Sequence, residues 1–289
     1  MKNVINYYYG IIVNEFKKRE SNFIFNINNS EYEFVEYYGD INKLINIYST
    51  LKFYRKEVSE IIVNKQNSII TYYENKPYIL LKKIKFRNKE IELSDIASYS
   101  SNVYAKEELN WKKLWIGKLD YYEMQLDEVG IKYPMLKQSF NYSLGLSEIA
   151  INLLNYVNVK TINYYISHKR LEIKEDMFNP LNIIIDSRSR DVAEYIKIKY
   201  FYDKIEAAQL EEFIIDSRFS RDEILLLLAR LIYPSYYFDI YEKVFIDNES
   251  EKELNKVIKK NAEYEAFLKY FYNMIKKFYH IPQIEFLEY

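Results

Sequence analysis

Residues 164–191 read YYISHKRLEIKEDMFNPLNIIIDSRSRD, and the stretch sets the reading of the chain on either side of it. A β-branched and aromatic run gives way to the basic pair Lys169–Arg170. An acidic patch at Glu175–Asp176 and an Asn179–Pro180 turn follow, and a second apolar run stops on Asp186. Short apolar runs bounded by polar and proline-containing breaks are strand signals. The pattern therefore predicts strand, polar loop, strand and a terminal acid. The loop also holds His168, one of only two histidines in the chain.

On the N-terminal side, residues 1–93 read as mostly strand with one helix. YGIIVNEF, NFIFNINN and EYEFVEYY are short, aromatic and β-branched, and Asn28–Asn29–Ser30 between the last two has the composition of a hairpin turn. GDINKLINIYSTLKFY changes to helical spacing, with Leu44, Ile45, Tyr48 and Leu51 on one face behind an Asp40 cap. SEIIVN, SIITYY and PYILLKKI return to strand, with turns at KQN and ENK. The basic run KKIKFRNK at 82–89 reads as a strand with one solvated cationic face, which could otherwise meet phosphate or an acidic partner.

From residue 94 to 289 the chain reads as helical, interrupted by the insert at 161–191. Trp111, Leu114, Trp115 and Leu119 fall on one stripe, and Pro134 opens a helix where its missing N–H costs nothing. RDVAEYIKIKYFYDK is a further helix. Ser220–Glu223 and Ser250–Glu253 each have the spacing of a capping box. YPSYYFDIYE groups aromatics around a proline turn, which reads as packing between helices, with a partner-binding patch as the second reading.

Composition narrows the function classes. The chain has 289 residues, 49% hydrophobic and 29% charged, which is enough to build a sizeable core. A net charge of −1 with mixed signs gives no broad pull toward nucleic acid or anionic lipid. Zero cysteines exclude disulfides and thiolate chemistry, and with only two distant histidines they argue against a zinc site. There is no P-loop, HExxH or GxSxG, no secretory signal pattern, and no apolar run of the roughly 18 residues a membrane span needs. The expectation is a soluble cytoplasmic protein whose 32 tyrosines mainly fill cores.

The order of elements, with SHKR at 167–170, NPLNIIID at 179–186, SRDVAEYIK at 189–197 and ARLIYPSYYFD at 229–239, resembles the protein-kinase-like fold of the aminoglycoside and choline kinase type. Within that type it is most similar to bacterial spore-coat-associated kinase-like proteins. The resemblance implies an α+β, two-lobed fold. A small, mostly β N-terminal lobe (1–93) with one helix would precede a larger helical lobe (94–289) carrying a catalytic-loop hairpin. The family's loop reads His-Gly-Asp, with an Asn five residues on and a metal-binding Asp at the end of a hairpin. On this chain those positions fall on His168, Lys169, Arg170, Glu175 and Asp186.

These residues do not suit that chemistry. Phosphoryl transfer needs a carboxylate to orient the attacking hydroxyl, and the Arg170 guanidinium has only donors and keeps its proton. Lys169 would need a pKa lowered by burial to serve. EYEFVEYY lacks the strand lysine the family aims at phosphates, Glu33 and Glu36 would repel a triphosphate, and no glycine lies within residues 18–30. Two readings stay open for the acids. Glu175, Asp176 and Asp186 could share a Mg²⁺; or Glu175 and Asp176 form a solvated turn while Asp186 pairs with Arg188 or Arg190, with Asp191 extending the pair. His168 is expected to brace the loop, and His280 is assigned no role.

The expected function is that of a catalytically impaired, pseudokinase-type binding or scaffold protein with a protein partner and no cofactor. The resemblance connects it to spore-coat assembly if the organism sporulates. Two alternatives remain: a divergent small-molecule phosphotransferase using ATP and Mg²⁺ through Glu175 and Asp186, and a non-catalytic nucleotide-binding switch.

Overall fold

The computed structural model describes residues 1–19, 21–103, 109–129, 132–202, 207–246 and 249–288. The chain divides into two compact units: residues 1–92 with 168–185, and residues 93–167 with 186–289. The insert expected within the helical region is thus shared, residues 168–185 grouping with the first unit.

The first unit opens with helix α1 (Lys2–Tyr9), followed by β1 (Lys17–Arg19), β2 (Asn22–Ile27), β3 (Ser30–Glu36), helix α2 (Ile41–Phe53), β4 (Glu60–Ile62), β5 (Thr71–Tyr73) and β6 (Lys76–Lys83). The strands run antiparallel in the order β1-β2-β3-β6-β4, with β5 also on β6. Successive strand residues face opposite sides, so the fully buried run of β6 serves two cores. Tyr78 and Leu80 join Phe23, Phe25 and Phe34 on one face, whereas Ile79 and Leu81 meet Leu44, Ile61 and Ile70 on the other.

Local chemistry fixes the connections. Asn28 (φ 47°) and Asn29 (φ 66°) take the left-handed conformation that a two-residue hairpin turn demands. Asp40 caps α2, accepting from the N–H groups of Asn42 (2.8 Å) and Lys43 (3.1 Å). The face of α2 differs from expectation: Leu44, Ile47 and Leu51 are buried while Ile45 is exposed. YGIIVNEF is not a strand. Gly10, at φ 70°, ends α1 with its N–H on Asn6 O, and Ile12 projects into solvent. KKIKFRNK is strand only through Lys83.

The second unit contains α3 (Leu93–Tyr99), β7 (Asn102–Val103), α4 (Trp111–Val129), α5 (Pro134–Leu153) and β8 (Tyr164–His168), whose last residue belongs to the first unit. The insert supplies α6 (Lys174–Met177) and β9 (Ile183–Asp186). The second unit then continues with α7 (Ser189–Tyr202), α8 (Ala207–Asp216), α9 (Arg221–Ile232), α10 (Ser235–Ile246), α11 (Leu254–Ile258), α12 (Asn261–Lys276) and α13 (Glu285–Glu288). Residues 203–204 of the helix expected from RDVAEYIKIKYFYDK lie outside the described residues.

Helix α9 is buried on every side from Glu223 to Ile232 and packs against α5, α7 and α12. A helix buried all round belongs in the centre of a core, and its two buried charges, Glu223 and Arg230, are both paired. The Ser220–Glu223 capping box forms as the spacing predicts. The Ser250–Glu253 box does not: the Glu253 N–H bonds Ser250 O within a 3-10 turn, and its carboxylate lies 2.5 Å from Lys256. Where Pro234 breaks the chain, buried Lys197 donates to Tyr233 O (3.0 Å) and Ser235 Oγ (2.8 Å). The tyrosines behave as core residues with a polar tip: Tyr241 donates to Tyr122 O and Tyr264 to Leu231 O, both at 2.8 Å. Burial pushes the Tyr237 hydroxyl up to about 12.

In α4 the buried stripe is Trp111, Trp115, Leu119 and Tyr122, and Leu114 is 56% exposed instead of sharing it. A methyl group at Gly117 would meet nothing within 4 Å among the described residues. Gly117→Ala is therefore expected to raise the unfolding free energy by about 1 kcal/mol, because alanine narrows the unfolded ensemble at no steric cost. Urea titration of a dilute sample checks this, and an unchanged or lowered midpoint would contradict it.

Candidate functional site

His168 is buried, with Nε2 3.0 Å from Met177 O. A carbonyl can only accept, so this ring nitrogen carries a proton and donates it to the loop. The bracing geometry expected for His168 is present. Asn182, which sequence reasoning did not single out, organises the rest of the loop. Its Nδ2 donates to Arg170 O (2.6 Å) and Asp176 O (2.9 Å), and its Oδ1 accepts from Arg170 N (3.1 Å). Lys169 Nζ donates to Leu181 O at 2.8 Å, and Arg170 Nη1 donates to Lys169 O at 3.1 Å. Both cations thus hydrogen-bond backbone carbonyls of their own loop.

Asp176 accepts from the N–H groups of Glu172 and Ile173, both at 2.9 Å, which shapes the turn into α6. Glu175 Oε1 lies 3.7 Å from Lys89 Nζ, and its Oε2 is buried with no hydrogen-bond partner among the described residues. On the sheet, Glu33 is 3.2 Å from Lys83 and Glu36 is 3.0 Å from Lys76. These carboxylates are paired locally, which softens the repulsion expected from them.

Asp186 lies in the second unit, 4% exposed. Its Oδ1 accepts from Arg230 Nη2 (2.7 Å), Ser187 N (2.7 Å) and Trp111 Nε1 (3.0 Å), and its Oδ2 from Arg190 Nη1 (3.3 Å). The Asp186–Arg190 pair is one of the two expected. Arg188, the other expected partner, instead grips Glu223 through Nε and Nη2, both at 2.8 Å, and stacks on Phe219 at 4.2 Å. Asp191 is buried in α7. Arg230 is 7% exposed, and burial lowers its proton affinity, with Asp186 opposing that shift.

A Mg²⁺ on Asp186 would compete with two guanidinium groups and an indole N–H for the same oxygens. Among the described residues, no group of three or more His, Asp or Glu gathers as a metal site would. Arg230 and Trp111 were not found from sequence because they lie 44 and 75 positions from Asp186, and no local pattern links them.

The arrangement of an antiparallel sheet in the first unit and helices in the second is a kinase-like fold shared with solved aminoglycoside phosphotransferase structures. It is similar over 96% of both chains to an aminoglycoside phosphotransferase from Alicyclobacillus acidocaldarius subsp. acidocaldarius DSM 446, with a TM-score of 0.59 and 10% identity. It is also similar to amicoumacin kinase hAmiN in complex with AMP-PNP, Ca²⁺ and Ami: TM-score 0.52, 12% identity, 97% of this chain and 93% of that one. Likeness at such identity concerns the fold alone. More specifically, the chain belongs to the family described as "Spore coat putative kinase YutH", whose model matches residues 2–271. It is 28% identical over 269 residues to the "Endospore coat-associated protein YutH" of Bacillus subtilis (strain 168), covering 80% of this chain and 79% of the relative. No helix among the described residues is long and apolar enough to cross a membrane.

Proposed function

We propose that the protein is a kinase-like module without phosphotransfer, acting by binding another protein, with spore-coat assembly as its setting. The observation that supports this reading is the engagement of Asp186. The carboxylate at the position where the resemblance puts a metal ligand is held by Arg230, Arg190 and Trp111, and it serves as a counter-ion inside the second unit. Arg170 at the position of the catalytic carboxylate argues the same way, since a fixed cation takes no proton from an attacking alcohol. The coat setting rests on family membership and on the coat-associated relative.

Melting the protein with ATP, with and without Mg²⁺, tests the reading. A ligand at 100 times its Kd stabilises the folded form by about 2.7 kcal/mol. The expected outcome is no shift and no phosphate release. A Mg²⁺-dependent rise with turnover would establish a divergent phosphotransferase, and a rise without turnover a nucleotide-binding switch.

A further inference from the structure

The outward face of α4 carries a stripe of exposed apolar residues. Leu114, Gly117, Tyr121 and Met124 recur at intervals of three and four residues, so they form one stripe along the helix. Leu114 is 56%, Tyr121 48% and Met124 53% exposed, and Gly117 between them faces open space. A mid-helix glycine weakens a helix, and no packing among the described residues calls for it. The charges of α4 run against its own dipole. Lys112 and Lys113 occupy the first turn and Asp127 and Glu128 the last, the reverse of what stabilises an isolated helix.

Both irregularities are resolved by a second copy of the same helix. We infer that α4 is a homodimer contact in which two copies of the chain pair their α4 helices antiparallel about a two-fold axis near residue 119. In that register Leu114 faces Met124 of the second copy, and Tyr121 fills the space above the second copy's Gly117. One axis satisfies both pairings, as an isologous interface requires. Lys113 then lies beside Asp127 of the second copy on the same flank, twice per dimer, and each basic helix start adjoins an acidic helix end. A parallel pairing would set Lys113 against Lys118, so charge selects the antiparallel one. Asp120 faces its own copy near the axis, which opposes association, whereas Lys118 is already 3.7 Å from Glu242. A weak, reversible and salt-sensitive dimer follows. Its failure is separable from that of the proposed function, because it is read without nucleotide.

Sedimentation equilibrium of the full chain over a wide concentration range at low salt tests this. Wild type is expected to dimerise, and Tyr121→Lys to raise the dissociation constant at least about tenfold. Lys113→Glu should weaken association by about the same factor, and the swap Lys113→Glu with Asp127→Lys should restore it. Because all three residues are exposed, circular dichroism should show unchanged folding; the rescue by the swap holds even if one single variant folds poorly. A carbodiimide cross-link between Lys113 of one copy and Asp127 of the other is also expected. A wild-type monomer at every concentration, or a dimer indifferent to both Tyr121→Lys and Lys113→Glu, would overturn the inference.

Discussion

Replacing Asp186 by asparagine is expected to lower the unfolding free energy by about 3–5 kcal/mol, the range for removing one partner of a buried ion pair. The substitution keeps the volume and removes the charge. Arg230, almost fully buried, then loses the carboxylate 2.7 Å away that offsets its desolvation. Arg190 loses its contact at Oδ2, where the new amide would present N–H groups to a donor. The Trp111 indole can still find an acceptor, so the loss comes mainly from the stranded guanidinium. A second variant separates charge from packing. Asp186→Asn combined with Arg230→Met removes the uncompensated cation and should recover much of the loss, because an apolar replacement of a buried pair is often close to neutral. Denaturant titration of the two single variants and the double variant gives the coupling directly. A single-variant loss below about 1 kcal/mol, the scale of a surface ion pair, would mean that the network does not hold the unit together.

Glu223→Ala is the second large effect. Glu223 performs two tasks at the start of the most buried helix. Its carboxylate receives a two-point contact from Arg188, and the same Oε2 accepts Ser220 N at 2.8 Å to complete the capping box. Alanine removes both and leaves Arg188 with two backbone carbonyls, Ser217 O and Arg218 O. The Arg188 side chain is 23% exposed, so water compensates part of the charge. The expected cost is about 3 kcal/mol, the lower end for a buried pair with the cap included. Ser220→Ala should cost only about 1 kcal/mol, the cap alone. Equal losses from the two substitutions would contradict the role given to the Arg188 pair.

Features written in adjacent residues were legible in the sequence. The Asn28–Asn29 turn, the Asp40 cap, Pro134 at a helix start and the Ser220–Glu223 box depend on neighbours within a few positions, and each formed as read. What failed was the choice between equivalent local options. Leu114 and Ile45 fit the buried stripes by spacing but face outward, because a helical stripe has two edges and tertiary packing chooses one. Ser250 had the spacing of a capping box, but a 3-10 turn let a backbone carbonyl take the N–H instead. The candidate site divides in the same way. The residue types at 168, 170 and 186 were enough to question phosphotransfer, and Arg190, four positions from Asp186, was within reach. Arg230, Trp111 and Asn182 were not, since their significance exists only once the chain is folded.

Unfolding free energies of the wild type and Asp186→Asn, each with and without saturating Mg²⁺ and ATP, test the central claim most directly. If Asp186 is a structural counter-ion, the variant loses about 3–5 kcal/mol in both conditions and the wild type gains nothing from the nucleotide. The opposite pattern would contradict the account: a variant as stable as wild type without ligand, and a magnesium-nucleotide stabilisation of the wild type that the variant lacks.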